Sequence, residues 1–477
     1  MKKKLIADIS ANSLQVIINQ LCGLVIFYLL STRLSKNTFG ELNWTLAVLL
    51  TIFSILSFGI DQVIVKKIAA AENASISISV YSMHVLLSGL IVYLLLFSSN
   101  YLFPGFFKMH YLLLLIGAGK LFIFFSSPFK QFANGTERFR PLLLMSTASN
   151  IIRSTALLLF FILHRVSSNT VVLIFILGDV SEFIVCLVIA RVQLKIPFTL
   201  NWNFRNYTAL IKESLPQLGV VLFTSSLSRF DWIFLGVFST TAVLANYSFA
   251  YKVFEMATLP LLAIAPILIP RFAKLFSQNN KEIPAAKKQV LATLLRTEII
   301  ISCTVVLLLN SAWSPAVDFI TDGKYGAVNS VTVLILSASM PFLYYNNFLW
   351  TISFSLGDFK NIFRIFLVCF LVNTGCILAL VPFFNAEGAA TAYLISIMVQ
   401  SVLFTMQHKK RYAFTYSTFS FLTITACAAT ALLLPPLLVA NVWLRLFIVL
   451  GLYIFLLGIT GQFKKSDWLI ITAVTRL

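Results

Sequence analysis

Among the ionisable side chains inside stretches otherwise apolar enough to cross a bilayer, eight are candidates for chemistry: the cations Lys120, Arg153, Arg229 and Lys252, and the acids Asp179, Glu182, Asp231 and Glu255. A charge near the bilayer centre costs roughly 3 kcal/mol on insertion scales, so these residues predict a wet or ionic interior rather than a lipid-facing surface. Their formal charges sum to zero, so the sum alone selects neither an anionic nor a cationic cargo. Spacing narrows the pairings. Asp179 and Glu182 stand three apart on one helix and repel unless paired or protonated; Lys120 and Arg153 could neutralise them or could face a cavity. Lys252 and Glu255, also three apart, can satisfy each other, whereas Arg229 and Asp231, two apart, each need a partner from another span. Asp61, near Lys66 and Lys67, is expected to make a local ion pair or to act at a helix end.

Neutral polar residues line up with these charges. Asn12, Gln15 and Asn19 fall within about 60° of one another at 100° per residue. Lys120, Ser127, Gln131 and Asn134 share a face, as do Ser146, Asn150 and Arg153, and Gln217, Thr224, Ser228 and Asp231. Such stripes either cross-link neighbouring helices or line a cavity. No catalytic constellation is visible: His84, His110, His164 and His408 are scattered, and the outer connections are short.

The elements that position these residues are membrane spans. The chain is 59% hydrophobic and 11% charged, where an ordinary soluble domain is about 25% charged. Apolar runs of spanning length are read near 10–32, 42–64, 77–99, 111–133, 141–163, 169–190, 214–238, 243–270, 291–312, 329–352, 362–384, 388–407, 416–436 and 442–461. None alternates like a barrel strand, so the fold class is an all-α polytopic membrane protein of about 14 transmembrane helices. The net charge of +19 is a topology signal rather than a nucleic-acid footprint. With the amino terminus inside, 26 of the 36 basic residues lie in cytoplasmic segments and 6 in outer connections, which puts both termini in the cytoplasm. The six cysteines all lie within spans, so no structural disulfide and no metal site are expected. The amino-terminal stretch, interrupted by amides, does not read as a cleaved signal.

The basic connection 192–213, with Trp202, Phe204 and Tyr207, reads as a cytoplasmic linker and hinge. RLSKNTFGELNWTLAV between spans one and two resembles VFSTTAVLANYSFAYKV between spans seven and eight, and FANGTERFRP resembles FSLGDFKNIF six spans later. The repeat divides the chain into an N-terminal six-helix lobe (1–191), the linker, a C-terminal six-helix lobe (214–410), and two additional helices with a cytoplasmic tail (411–477).

LSKNTFGELNW, SFGIDQVIVKKIA, GTERFRP, SRFDWIFLGVFS and NYSFAYKVFEM together resemble polysaccharide flippases of the Wzx type, within the multidrug/oligosaccharidyl-lipid/polysaccharide exporter superfamily. The resemblance implies two pseudo-symmetric lobes opening alternately around a hydrated cavity. The implied cargo is an undecaprenyl-diphosphate-linked oligosaccharide, turned across the bacterial inner membrane for O-antigen- or capsule-like polysaccharide synthesis. Lys120, Arg153, Arg229 and Lys252 are then the candidates for holding the diphosphate. Asn12, Gln15, Asn19, Ser127, Gln131, Asn150, Gln217 and Thr224 are the cavity groups for sugar. Asp179, Glu182, Asp231 and Glu255 are candidates for H⁺ or Na⁺ coupling. No other cofactor is implied. The expected partners are the lipid-linked substrate, membrane lipids, and the polymerase and glycosyltransferases of the pathway, with a functional monomer. The rival readings are a cation-coupled multidrug exporter of the same superfamily and, far behind, a membrane polymerase or ligase.

Overall fold

The computed structural model describes residues 2–70, 74–196, 204–261, 272, 285–412, 414, 416–434 and 441–462. Nearly all of them are helical, and none is in a strand. The chain forms two compact units, Met1–Ala245 and Asn246–Leu477. Among the described residues ten helices are long and apolar enough to cross a membrane. The later part of the eighth span (262–270), Trp202, the basic loop 273–284 and the tail 463–477 lie outside the described residues.

The first unit contains α1 (Lys2–Arg33), α2 (Lys36–Leu56), α3 (Ile60–Ala69), α4 (Ala74–Leu102), α5 (Pro104–Met109), α6 (Tyr111–Gly135), α7 (Phe139–Ile162), α8 (Ser168–Ile189) and α9 (Phe204–Phe238). The span expected at 42–64 is broken. Phe58 and Gly59 take positive φ values of 55° and 69°, ending α2 and redirecting the chain into α3. Glycine is needed at 59 twice over, because a Cβ there would also come within 2.7 Å of the α9 backbone at Gln217. The seventh span begins ten residues early: α9 runs unbroken from Phe204, and Lys67 holds its first turns through Glu213 at 2.9 Å.

At the opposite end of α2, Trp44 fills the space against α9. Its Nε1 donates to the Ile233 carbonyl at 3.3 Å, and its ring lies 4.4 Å from that of His110. A Cβ at Gly236 would collide with the indole, so that glycine admits the close approach. His110 is held in turn by the Glu41 carboxylate at 3.0 Å.

The second unit begins within α10 (Thr241–Ala257) and contains α11 (Ala285–Thr321), α12 (Ser330–Ala338), α13 (Met340–Ser355), α14 (Phe359–Tyr412), α15 (Thr418–Leu433) and α16 (Val442–Ile459). The long α14 is a hairpin holding the two spans expected at 362–384 and 388–407. Asn385 leaves helical geometry at φ 49° and ψ −125°. Ser396 donates to the Cys369 carbonyl at 3.0 Å across 27 residues, a separation that would span about 40 Å along a straight helix. The hairpin is tied to the turn before it by Asp358, whose carboxylate receives Asn361 at 3.0 Å, Tyr412 at 3.0 Å, and the Gln407 and Arg411 side chains. Apolar faces of α11, α13, α14, α15 and α16 bury Leu291, Leu295, Phe348, Phe404 and Tyr453 in one core.

Candidate functional site

The intramembrane charges of the first unit converge on α8, which packs between α6 and α7. Asp179, fully buried, takes Lys120 of α6 at 3.2 Å and the Arg153 guanidinium of α7. The helices meet closely here because both contain glycine. A Cβ at Gly119 would stand 2.8 Å from the Asp179 carboxylate, and one at Gly178 would stand 2.7 Å from the Arg153 side chain. Phe175, one turn before Asp179, lies under the Arg153 guanidinium at 4.9 Å from ring centroid to Cζ, adding a cation–π contact.

One turn further along α8, Glu182 pairs with Lys130 rather than with Lys120 or Arg153. Lys130 lies in α6, which continues past Pro128 to Gly135. Asp61 extends the cluster. Of its two expected roles it takes the helix-end one, in the first turn of α3, rather than a pair with Lys66 or Lys67, since positions five and six apart lie on different sides of a helix. Instead it accepts a hydrogen bond from Tyr81 of α4, whose hydroxyl also faces Ser127. Three cations and three acids thus lie within one unit, and their formal charges balance.

The remaining sites separate. Asn150 donates to Asn19 at 3.0 Å, joining the stripes of α1 and α7. Gln15 keeps a buried carbonyl oxygen without a hydrogen-bond partner among the described residues. Gln131 is half-buried on α6, and Gln217 abuts the Gly59 turn. The side chains of Asn12, Thr224 and Ser228 lie outside the described residues. Arg229 lies over Trp232 at 4.4 Å, and the buried Asp231 accepts the Trp232 backbone N–H at 2.9 Å. In the second unit Lys252 and Glu255 pair at 2.8 Å, one of the pairings their spacing allowed.

A family model described as "Polysaccharide biosynthesis protein" matches residues 5–276. The chain belongs to this family. A comparison with curated proteins gives no match. In fold, this polysaccharide biosynthesis protein is similar to the lipid II flippase MurJ in its inward closed conformation. The TM-score is 0.74 at 15% identity, over 94% of this chain and 98% of that one. It is also similar to a multidrug resistance MATE family transporter of the MOP superfamily, inward-facing, with a TM-score of 0.66 at 14% identity over 84% and 97% of the two chains. A Vibrio cholerae MATE transporter gives 0.51 at 15% identity, over 86% and 99%. The all-α exporter-superfamily fold expected from sequence is borne out, and the proteins sharing it are a flippase and transporters, not enzymes.

One feature of this family member escaped sequence reasoning: Glu298, in the first half of the ninth span, is passed over within an apolar run; it is 5% exposed. The second unit also holds an apolar cavity of about 570 Å³ lined by Leu307, Leu334, Phe342, Met398, Phe421 and others, with no charged side chain.

Proposed function

We propose that this family member is a flippase that turns undecaprenyl-diphosphate-linked oligosaccharide repeat units from the cytoplasmic to the outer leaflet of the bacterial inner membrane by alternating access. It would thereby serve O-antigen- or capsule-like polysaccharide synthesis. The observation that carries the reading is the sharing of Asp179 by two cations. Arg153 alone suffices to neutralise that carboxylate, so Lys120 is the cation that Asp179 can release. Lys120 is also the more accessible, its side chain 20% exposed against 7% for Arg153. An arriving diphosphate can therefore take Lys120 by charge-assisted hydrogen bonds without stranding Asp179 in the membrane. Asn19, Asn150, Ser127 and Gln131 supply amides and hydroxyls nearby in sequence register for sugar. The apolar cavity of the second unit suits hydrocarbon and not a diphosphate.

The same reading places both termini in the cytoplasm, treats 1–191 and 214–410 as the moving lobes, and makes the monomer the working unit. H⁺ or Na⁺ would drive the cycle, and the pathway's polymerase and glycosyltransferases would be the neighbours. The MATE-like fold favours a second reading, a cation-coupled drug exporter.

A chromosomal deletion complemented with wild type, Lys120→Gln and Lys120→Arg separates the two. The deletion strain is expected to lose surface polysaccharide and to accumulate lipid-linked repeat units in the inner leaflet. Wild type restores export, and Lys120→Gln lowers the export rate about 10–100-fold, the equivalent of one charge-assisted contact of about 1.5–3 kcal/mol. Normal polymer with altered sensitivity to lipophilic cations turns the reading to the drug exporter.

A further inference from the structure

The acids expected to couple transport to an ion gradient each have company in the structure. Asp179 holds Lys120 and Arg153, Glu182 holds Lys130, Glu255 holds Lys252, and Asp231 accepts the Trp232 amide. Glu298 differs. It lies in the middle of α11, is 5% exposed, and its Oε2 has no hydrogen-bond donor among the described residues. No described cation pairs with it.

The elements packed on α11 explain why. Among the described residues, the helices packed most extensively on it are α12, α13, α15 and α16. Their sequences contain no Asp, Glu, Lys or His, and the one arginine, Arg445 of α16, donates to the Ser311 carbonyl at 2.9 Å. Ser311 is about 20 Å along the helix from Glu298 at 1.5 Å per residue. The titratable groups on these four helices are phenols and a thiol. Tyr344 and Tyr345 come from α13, Cys427 from α15, and Tyr453 from α16. The Tyr345 hydroxyl is engaged with Thr405 at 2.7 Å, and Tyr453 donates to the Ile300 carbonyl at 3.5 Å. Tyr344 is fully buried. On α11 itself, Arg296 is two residues away and so projects from a different face, and Cys303 lies more than a turn beyond.

We propose that Glu298 is a proton-binding site of the second unit, and that its protonation and deprotonation couple the transport cycle to the proton gradient. Ionised, the carboxylate stands among apolar side chains with no described cation. Protonated, it is neutral and needs no counter-charge. One proton is bound and one released per cycle, with no other bond made or broken. The coupling half of this inference rests on the flippase reading; the proton-binding half does not.

The two halves are tested separately. Purified full-length wild type, Glu298→Gln and Glu298→Asp, reconstituted in liposomes, are titrated across the neutral range by difference infrared spectroscopy in the protonated-carboxyl region. A carboxylic-acid band that titrates in wild type, persists at a shifted position in Glu298→Asp and is lost in Glu298→Gln supports the site. Spectra of wild type and Glu298→Gln that coincide at every pH overturn it. Glu298→Gln is nearly isosteric, and an unchanged elution profile and melting temperature show that it folds. In the complemented deletion strain, Glu298→Gln is expected to abolish polysaccharide export, or to remove its dependence on external pH. Wild-type export with an unchanged pH profile overturns the coupling, whereas a deletion strain with normal polymer sinks the flippase reading and leaves the infrared result standing.

Discussion

Arg153 and Lys120 touch the same carboxylate but should respond differently to mutation. Asp179 is fully buried and Arg153 nearly so, so Arg153→Ala leaves a carboxylate deep in the helix bundle with the more exposed Lys120 as its only cation. Breaking such a pair costs about 3–5 kcal/mol, and the expected result is a large fall in detergent-solubilised melting temperature. Removing both ends, Arg153→Met with Asp179→Leu, should cost much less than the sum of the single changes, a coupling readable from a double-mutant cycle. Lys120→Gln, by contrast, should leave the melting temperature close to wild type while lowering export. The presence of these charges in the membrane was legible in the sequence because eight charged letters in apolar runs stand out. Their partners were not, because which acid meets which base is decided by helix packing. Glu182 sits three residues from Asp179 yet reaches Lys130, ten residues along α6 from Lys120.

At the scale of elements, bilayer thickness imposes span lengths that can be read directly, but breaks within spans depend on single residues. SFGID gives α2 and α3 different directions through Phe58 and Gly59. FFNAEG folds α14 back on itself at Asn385. A lone glycine in an apolar run is compatible with a continuous helix, so the first break was hidden until its φ of 69° and the nearby α9 backbone were seen together. Gly59→Ala should cost about 1–3 kcal/mol from backbone strain alone, with more from the contact with Gln217. Lower membrane yield and faster trypsin cleavage after Lys66 or Lys67 in everted vesicles would report it; unchanged yield and cleavage would show that α9 can retreat from the turn.

For the molecule as a whole, the proposed orientation follows from the asymmetry of the basic residues and predicts where reporters will work. A fluorescent protein fused after Leu477 should fluoresce, and a periplasm-dependent phosphatase inserted at the exposed Asp322–Gly323 turn should be active. The reverse pattern would invert the topology. The structure also carries its own optical probe. Trp44 has its indole N–H on the Ile233 carbonyl and its ring against the imidazole of His110. Any movement that separates α2 from α9 would break that hydrogen bond and release the indole into a wetter setting. In a variant that keeps Trp44 as its sole tryptophan, the transport cycle would then be visible as a red shift of ultraviolet fluorescence, without an added label.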